Sequence, residues 1–186
     1  MSAIPPAPID DALLTRLAAM PALLRRVAAA LSDAAARTPG AGGAFAFVEH
    51  AWHMADLERE GYGARITRIL AEDRPSLADF DGDRAARERE YLRADAGLGV
   101  EVFAQARRLN VERLSALGAA ELARPAMQDG VGDLVLAMLP AMMAEHDRQH
   151  AAELATLLGA PAAVRDAVRA HGAGEPGPAA RGSRAA

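Results

Sequence analysis

Residues 142–154 read MMAEHDRQHAAEL, and two histidines in this stretch, His146 and His150, stand four residues apart. A helix turns once in about 3.6 residues, so both lie on one side of it. Val135, Leu139, Met142 and Met143 before the pair, and Leu154 and Leu157 after it, continue the same side as an apolar stripe. The stripe points both imidazoles toward the core. A buried imidazole without a partner costs about 1–3 kcal/mol, so two side by side call for a common explanation, and shared ligation of a metal is one.

The rest of the chain suits a helical protein. Of its 186 residues 51% are hydrophobic but only 4% aromatic, and alanine and leucine supply most of the apolar side chains. That mixture favours helix over sheet, which wants β-branched and aromatic residues. The length allows one domain with a substantial core. All 21 basic residues are arginine, scattered among acids in a chain of net charge −4, which argues against a nucleic-acid surface. There is no cysteine, hence no disulfide, thiolate metal site or cysteine nucleophile. No apolar run approaches the roughly 20 residues needed to cross a bilayer, and MSAIPPAPID lacks the pattern of a secretory signal. The expected location is cytoplasmic, with no membrane partner.

Four long amphipathic segments are expected. Residues 9–37 form the first, kinked or divided at Pro21. The second runs over 44–71, with Phe45, Val48, Trp52, Ala55, Ile66 and Leu70 on its apolar side. An acidic connection at 72–86 leads to the third, 87–117, whose apolar positions include Leu92, Leu98, Val102, Phe103, Leu109 and Leu114. An irregular crossover at 118–132 precedes the fourth, 133–158, which Pro140 should kink. The fold class is therefore all-α: a four-helix bundle over 9–158 with long crossover connections. A short accessory helix at 159–170 and a disordered tail at 171–186 follow.

The second segment supplies further histidines in EHAWHMADLE, with His50 and His53 three residues apart. His53 sits at the edge of the apolar stripe beside Glu49, Asp56 and Glu60. His50 is turned further toward solvent, which makes it a supporting or surface residue. His53, His146 and His150 are thus the candidate metal ligands. HDRQH lacks the central glutamate of a zinc-protease helix, and the carboxylate pattern of a di-iron bundle is missing. Three neutral imidazoles without a thiolate suit Zn²⁺ or Ni²⁺, with Mn²⁺ or Fe²⁺ as alternatives, and leave positions open for water or substrate. Asp56 and Glu49 are candidate catalytic bases beside the metal. Glu153, one turn beyond His150, either accepts the imidazole N–H or pairs with an arginine.

WHMADLE (52–58), HDRQH (146–150) and the connection RILAEDRPSLADFD (68–81) resemble the DinB/YfiT-like superfamily over residues 10–158. The resemblance implies a four-helix bundle that binds one divalent metal through three histidines matching His53, His146 and His150. It also implies chemistry dependent on a low-molecular-weight thiol such as bacillithiol or mycothiol, in S-transfer or isomerisation, and a homodimer. On that reading the partners are a small-molecule substrate and a thiol, whose pKa the metal would lower. Metal-dependent hydrolysis is the rival chemistry. A non-catalytic metal-binding or stress-associated bundle, or a metal-free helical interaction module, are the alternatives outside enzymology. A concave pocket beside the histidines separates the enzyme from the others.

Overall fold

The structure, a computed structural model, describes residues 9–157 and 160–173. The first bundle helix, α1 (Asp11–Ala30), starts at Asp10, whose side chain accepts the Ala12 N–H at 3.0 Å. It is not divided at Pro21. A proline inside a helix leaves the carbonyl four residues earlier without its N–H. Here that carbonyl, on Leu17, accepts from the guanidinium of Arg107 at 3.1 Å instead. The break comes later, at Leu31, and Ser32 caps the short α2 (Asp33–Ala36).

The second bundle helix is built in three pieces without leaving helical backbone: α3 (Phe47–Asp56), a π-helical segment (Leu57–Gly63) and α4 (Ala64–Ala71). A π-turn takes up an extra residue and rotates everything beyond it by roughly 100° relative to an unbroken α-helix. The side buried after the π-turn therefore carries Ile66 and Ile69 rather than the Ile66 and Leu70 pair expected from unbroken periodicity. Asn110 Nδ2 donates to the Glu58 carbonyl inside the segment at 2.9 Å.

The third bundle helix begins later than 87. The helix α5 (Gly82–Glu88) and a 3₁₀ turn (Tyr91–Arg93) precede α6 (Ala96–Ser115), which Asp95 caps. Leu92, Leu98 and Leu109, expected inside, are exposed. The inward side of α6 instead carries Val100, Phe103, Ala106 and Leu114 together with two polar residues, Arg107 and Asn110. A pattern that counts only apolar side chains misplaces such a face.

The expected irregular crossover holds a helical turn, α7 (Ala119–Leu122), and a hairpin of β2 (Pro125–Gln128) and β3 (Gly132–Val135). β2 pairs antiparallel with β3, Ala126 opposite Leu134, and parallel with β1 (Ser76–Leu77), Ser76 opposite Met127. Asp129-Gly130, a dipeptide suited to tight turns, sits at the hairpin bend with Gly130 at φ +74°. This small sheet is an addition to the bundle. It also delays the fourth bundle helix, α8 (Leu139–Leu154), to a start that places Pro140 in its first turn. A proline there costs no hydrogen bond, so the expected kink has no cause.

The accessory helix, α9 (Ala162–Ala173), reaches beyond the expected 159–170 and buries Val164 and Ala167 in the α1 side of the core. Residues 174–186 of the expected tail, residues 158–159 and residues 1–8 lie outside the described residues. Among the described residues no helix is long and apolar enough to cross a membrane.

One buried side chain touches all four bundle helices. Arg107 of α6, 1% exposed, contacts Leu17 O on α1, Glu58 Oε2 on the π-segment at 2.9 Å, and both carboxylate oxygens of Asp147 on α8. Two acids facing one guanidinium hold it firmly protonated despite burial.

Candidate metal centre

The histidines of α3 and α8 meet in the bundle. His53 Nε2 lies 3.2 Å from His146 Nε2, and His150 Nε2 lies 3.0 Å from the same atom. His53, His146 and His150 therefore each offer one nitrogen to a single small volume. Three neutral imidazoles pointing the same nitrogen at one another cannot all be satisfied by hydrogen bonds, since one proton serves only one pair. A cation at their centre satisfies all three. Nitrogens about 2.0–2.1 Å from a tetrahedral ion stand about 3.3 Å apart, near the spacing observed. The cluster fits a divalent metal.

Burial keeps the rings neutral, as ligation requires. Desolvation is the largest cause for each: it lowers His53, lowers His146 to about 3, and lowers His150 further. Neighbouring imidazoles add to this for His146 and His150. The sign has a measurable consequence for the metal-free protein. Histidines held below their ordinary value of 6.5 take up protons on unfolding, so stability is complete above about pH 6.5 and declines as pH falls from there. The urea midpoint of metal-free protein should drop between pH 7.5 and pH 5, and drop less in a variant with all three ligands replaced by alanine. Equal drops would show the histidines to be exposed in solution.

His50 is the residue that helical phase misplaced. It is 1% exposed, with Nδ1 2.9 Å from His150 Nδ1. Burial lowers its pKa to about 4. Glu153 Oε2 approaches the same His150 nitrogen at 3.2 Å. His150 thus directs Nε2 to the cluster and Nδ1 toward His50 and the Glu153 carboxylate, an arrangement that fixes ring orientation. The signal was the spacing of His50 and His53; a wheel drawn from one helix could not show that α8 covers its flank.

Asp56 and Glu49 stand differently. Asp56 is buried, accepts from the Tyr91 hydroxyl and pairs with Arg89. Glu49 accepts the Ala46 N–H at 2.8 Å and closes the start of α3. Both are engaged in holding backbone and neighbouring elements.

Aromatic and glycine positions complete the shell around His53. Phe45 and Phe80 flank its ring at centroid distances of 5.6 and 6.0 Å. Gly82, at the start of α5, presses its backbone so close that a Cβ there would lie 2.5 Å from His53 Cε1 and Nδ1. Gly82→Ala should displace the ring and weaken zinc binding about tenfold, the scale of lost support to a ligand. Chelator competition measures this; unchanged affinity would mean that α5 yields instead of the ring.

On the other side His146 borders a cavity of 660 Å³ with Tyr62, Met138, Ala141 and Met142 along its walls. Burial raises the Tyr62 phenol to about 12, so it stays protonated at neutral pH.

A family model described as the DinB superfamily matches residues 16–154, a span that contains all three clustered histidines. The chain belongs to the DinB superfamily. This DinB-superfamily chain is also similar to a solved structure described as "YfiT from Bacillus subtilis is a probable metal-dependent hydrolase with an unusual four-helix bundle topology", at 18% identity and TM-score 0.71 over 87% of each chain. That likeness concerns the fold. No curated protein matches the DinB-superfamily chain.

Proposed function

We propose that this chain is a mononuclear metal enzyme for small molecules, in which His53, His146 and His150 hold one divalent ion, Zn²⁺ or Ni²⁺, and a low-molecular-weight thiol is the nucleophile. The observation that carries the metal reading is the approach of His53 Nε2 and His150 Nε2 to His146 Nε2, at 3.2 and 3.0 Å. When bound, the ion supplies Lewis acidity that lowers the pKa of a coordinated nucleophile. The protein's own part is to keep the three rings neutral by burial, to fix His150 through His50 and Glu153, and to flank His53 with Phe45 and Phe80. One feature supports sulfur. Asp56 and Glu49 are occupied with Arg89, Tyr91 and Ala46, and a thiol of pKa about 8.5 needs far less help to ionise than water.

Hydrolysis is the second reading, favoured by the description of the YfiT structure as a probable metal-dependent hydrolase. Cobalt-loaded protein separates the two. Addition of mycothiol or bacillithiol should produce a thiolate-to-cobalt absorption band and thiol-dependent turnover of an alkyl halide. No band, together with thiol-independent cleavage of nitrophenyl esters, would replace thiol transfer with hydrolysis.

A further inference from the structure

The three ligands differ in what lies beside them. His53 is enclosed by Phe45, Phe80 and the backbone of Gly82, and His150 is backed by His50 and Glu153. His146 instead forms part of the wall of the 660 Å³ cavity, whose lining along α8 runs from Ala137 to Gln149. That volume lies within the roughly 300–1,000 Å³ of small-molecule sites. Its walls are mostly apolar. Tyr62 stands edge-on to His146 with ring centroids 6.4 Å apart, and Met138, Ala141 and Met142 continue away from it. Met138 is 43% exposed and Met142, one turn on, is partly buried. Methionines adapt their shape to flexible apolar ligands. The acid in the lining, Glu145, is turned along its own helix to Arg148 and Gln149, which offsets its charge.

We propose that this groove holds the apolar portion of the substrate: the alkyl or acyl chain of a small amphiphile whose polar head reaches the three-histidine centre. The proposal rests on the metal-enzyme reading and adds the substrate class. An apolar wall at one end, with the polar residues Glu145, His146 and Gln149 at the other, fits a molecule with that same division of character. Burying a methylene in such a trough is worth about two- to fourfold in affinity, according to how fully it leaves water.

The test is calorimetric titration of zinc-loaded full-length protein with acetohydroxamate, hexanohydroxamate and octanohydroxamate, whose common head chelates metal. Affinity should rise with chain length, by about 60-fold or more over the six added methylenes. Ala141→Arg, at an exposed position on α8, should remove most of that gain; circular dichroism checks that it folds. Acetohydroxamate binding with no dependence on chain length overturns the groove proposal and leaves the metal reading standing. Failure of acetohydroxamate to bind removes the metal reading, and the proposal with it. The same chain-length gain in metal-free protein would mean adventitious apolar binding and overturn the proposal. So would exclusion of octanohydroxamate by a dimer that Met138→Glu dissociates.

Discussion

Replacing His146 with alanine should lower zinc affinity by 10²–10³-fold or more and leave purified protein without metal. His146 Nε2 is the atom that both other ligands approach, at 3.2 Å from His53 and 3.0 Å from His150. Protein zinc sites bind with a free energy on the order of 10–16 kcal/mol, and removing one of three protein ligands forfeits a large share of it. His50→Ala should cost less, roughly 10–100-fold, because His50 supports His150 rather than lying in the cluster. Elemental analysis with chelator competition measures both. One equivalent of metal retained by the triple variant His53→Ala, His146→Ala, His150→Ala would place the binding elsewhere. Zinc should also raise the thermal midpoint of wild-type protein and leave that of the triple variant unchanged, because only binding to the folded state stabilises it.

Arg107→Ala should destabilise the protein by about 3–5 kcal/mol, the cost of leaving buried charge without its partner. The variant takes the guanidinium away from Glu58 and Asp147, at 1% and 6% exposure, leaving Glu58 its Asn110 Nδ2 donor, and orphans the Leu17 carbonyl that Pro21 already deprived of an N–H. Removing the acids as well separates this cause from a simple cavity. The triple variant Arg107→Ala, Glu58→Gln, Asp147→Asn should recover part of the loss in urea unfolding, because no buried charge then remains. No recovery would assign the effect to packing alone. Zinc affinity should fall as well, since Asp147 adjoins His146 in α8 and Glu58 lies five residues beyond His53.

The bundle and the three-histidine cluster were legible in the sequence because both rest on periodicity within one helix. His146 and His150 share a face whatever surrounds them, and His53 lies on the helix that α8 meets. The departures have tertiary causes. Pro21 does not break α1 because a side chain 86 positions away takes over its lost hydrogen bond. His50 is buried by a neighbour that its own helix cannot reveal. The inward face of α6 was misjudged because Arg107 and Asn110, polar by type, occupy it. The β2–β3 hairpin could have been found from Asp129-Gly130; the strands flanking it are only four residues each, and the apolar pattern there is weak.

The π-turn at Leu57–Gly63 makes the second bundle helix a shaft with two keyed ends. Above the turn the phase is set by His50 and His53 at the cluster; below it, by Ile66 and Ile69 in the far core. Because the extra residue absorbs the mismatch, the two ends are not bound to a common 3.6-residue register, and each is free to vary around its own requirement. The same device makes chain length in this one segment critical. Loss of exposed Arg59 alone would keep every side chain needed for ligation and for packing, yet swing one set roughly 100° out of alignment with the other. A lineage carrying such a deletion could keep the metal centre or the far core, but not both.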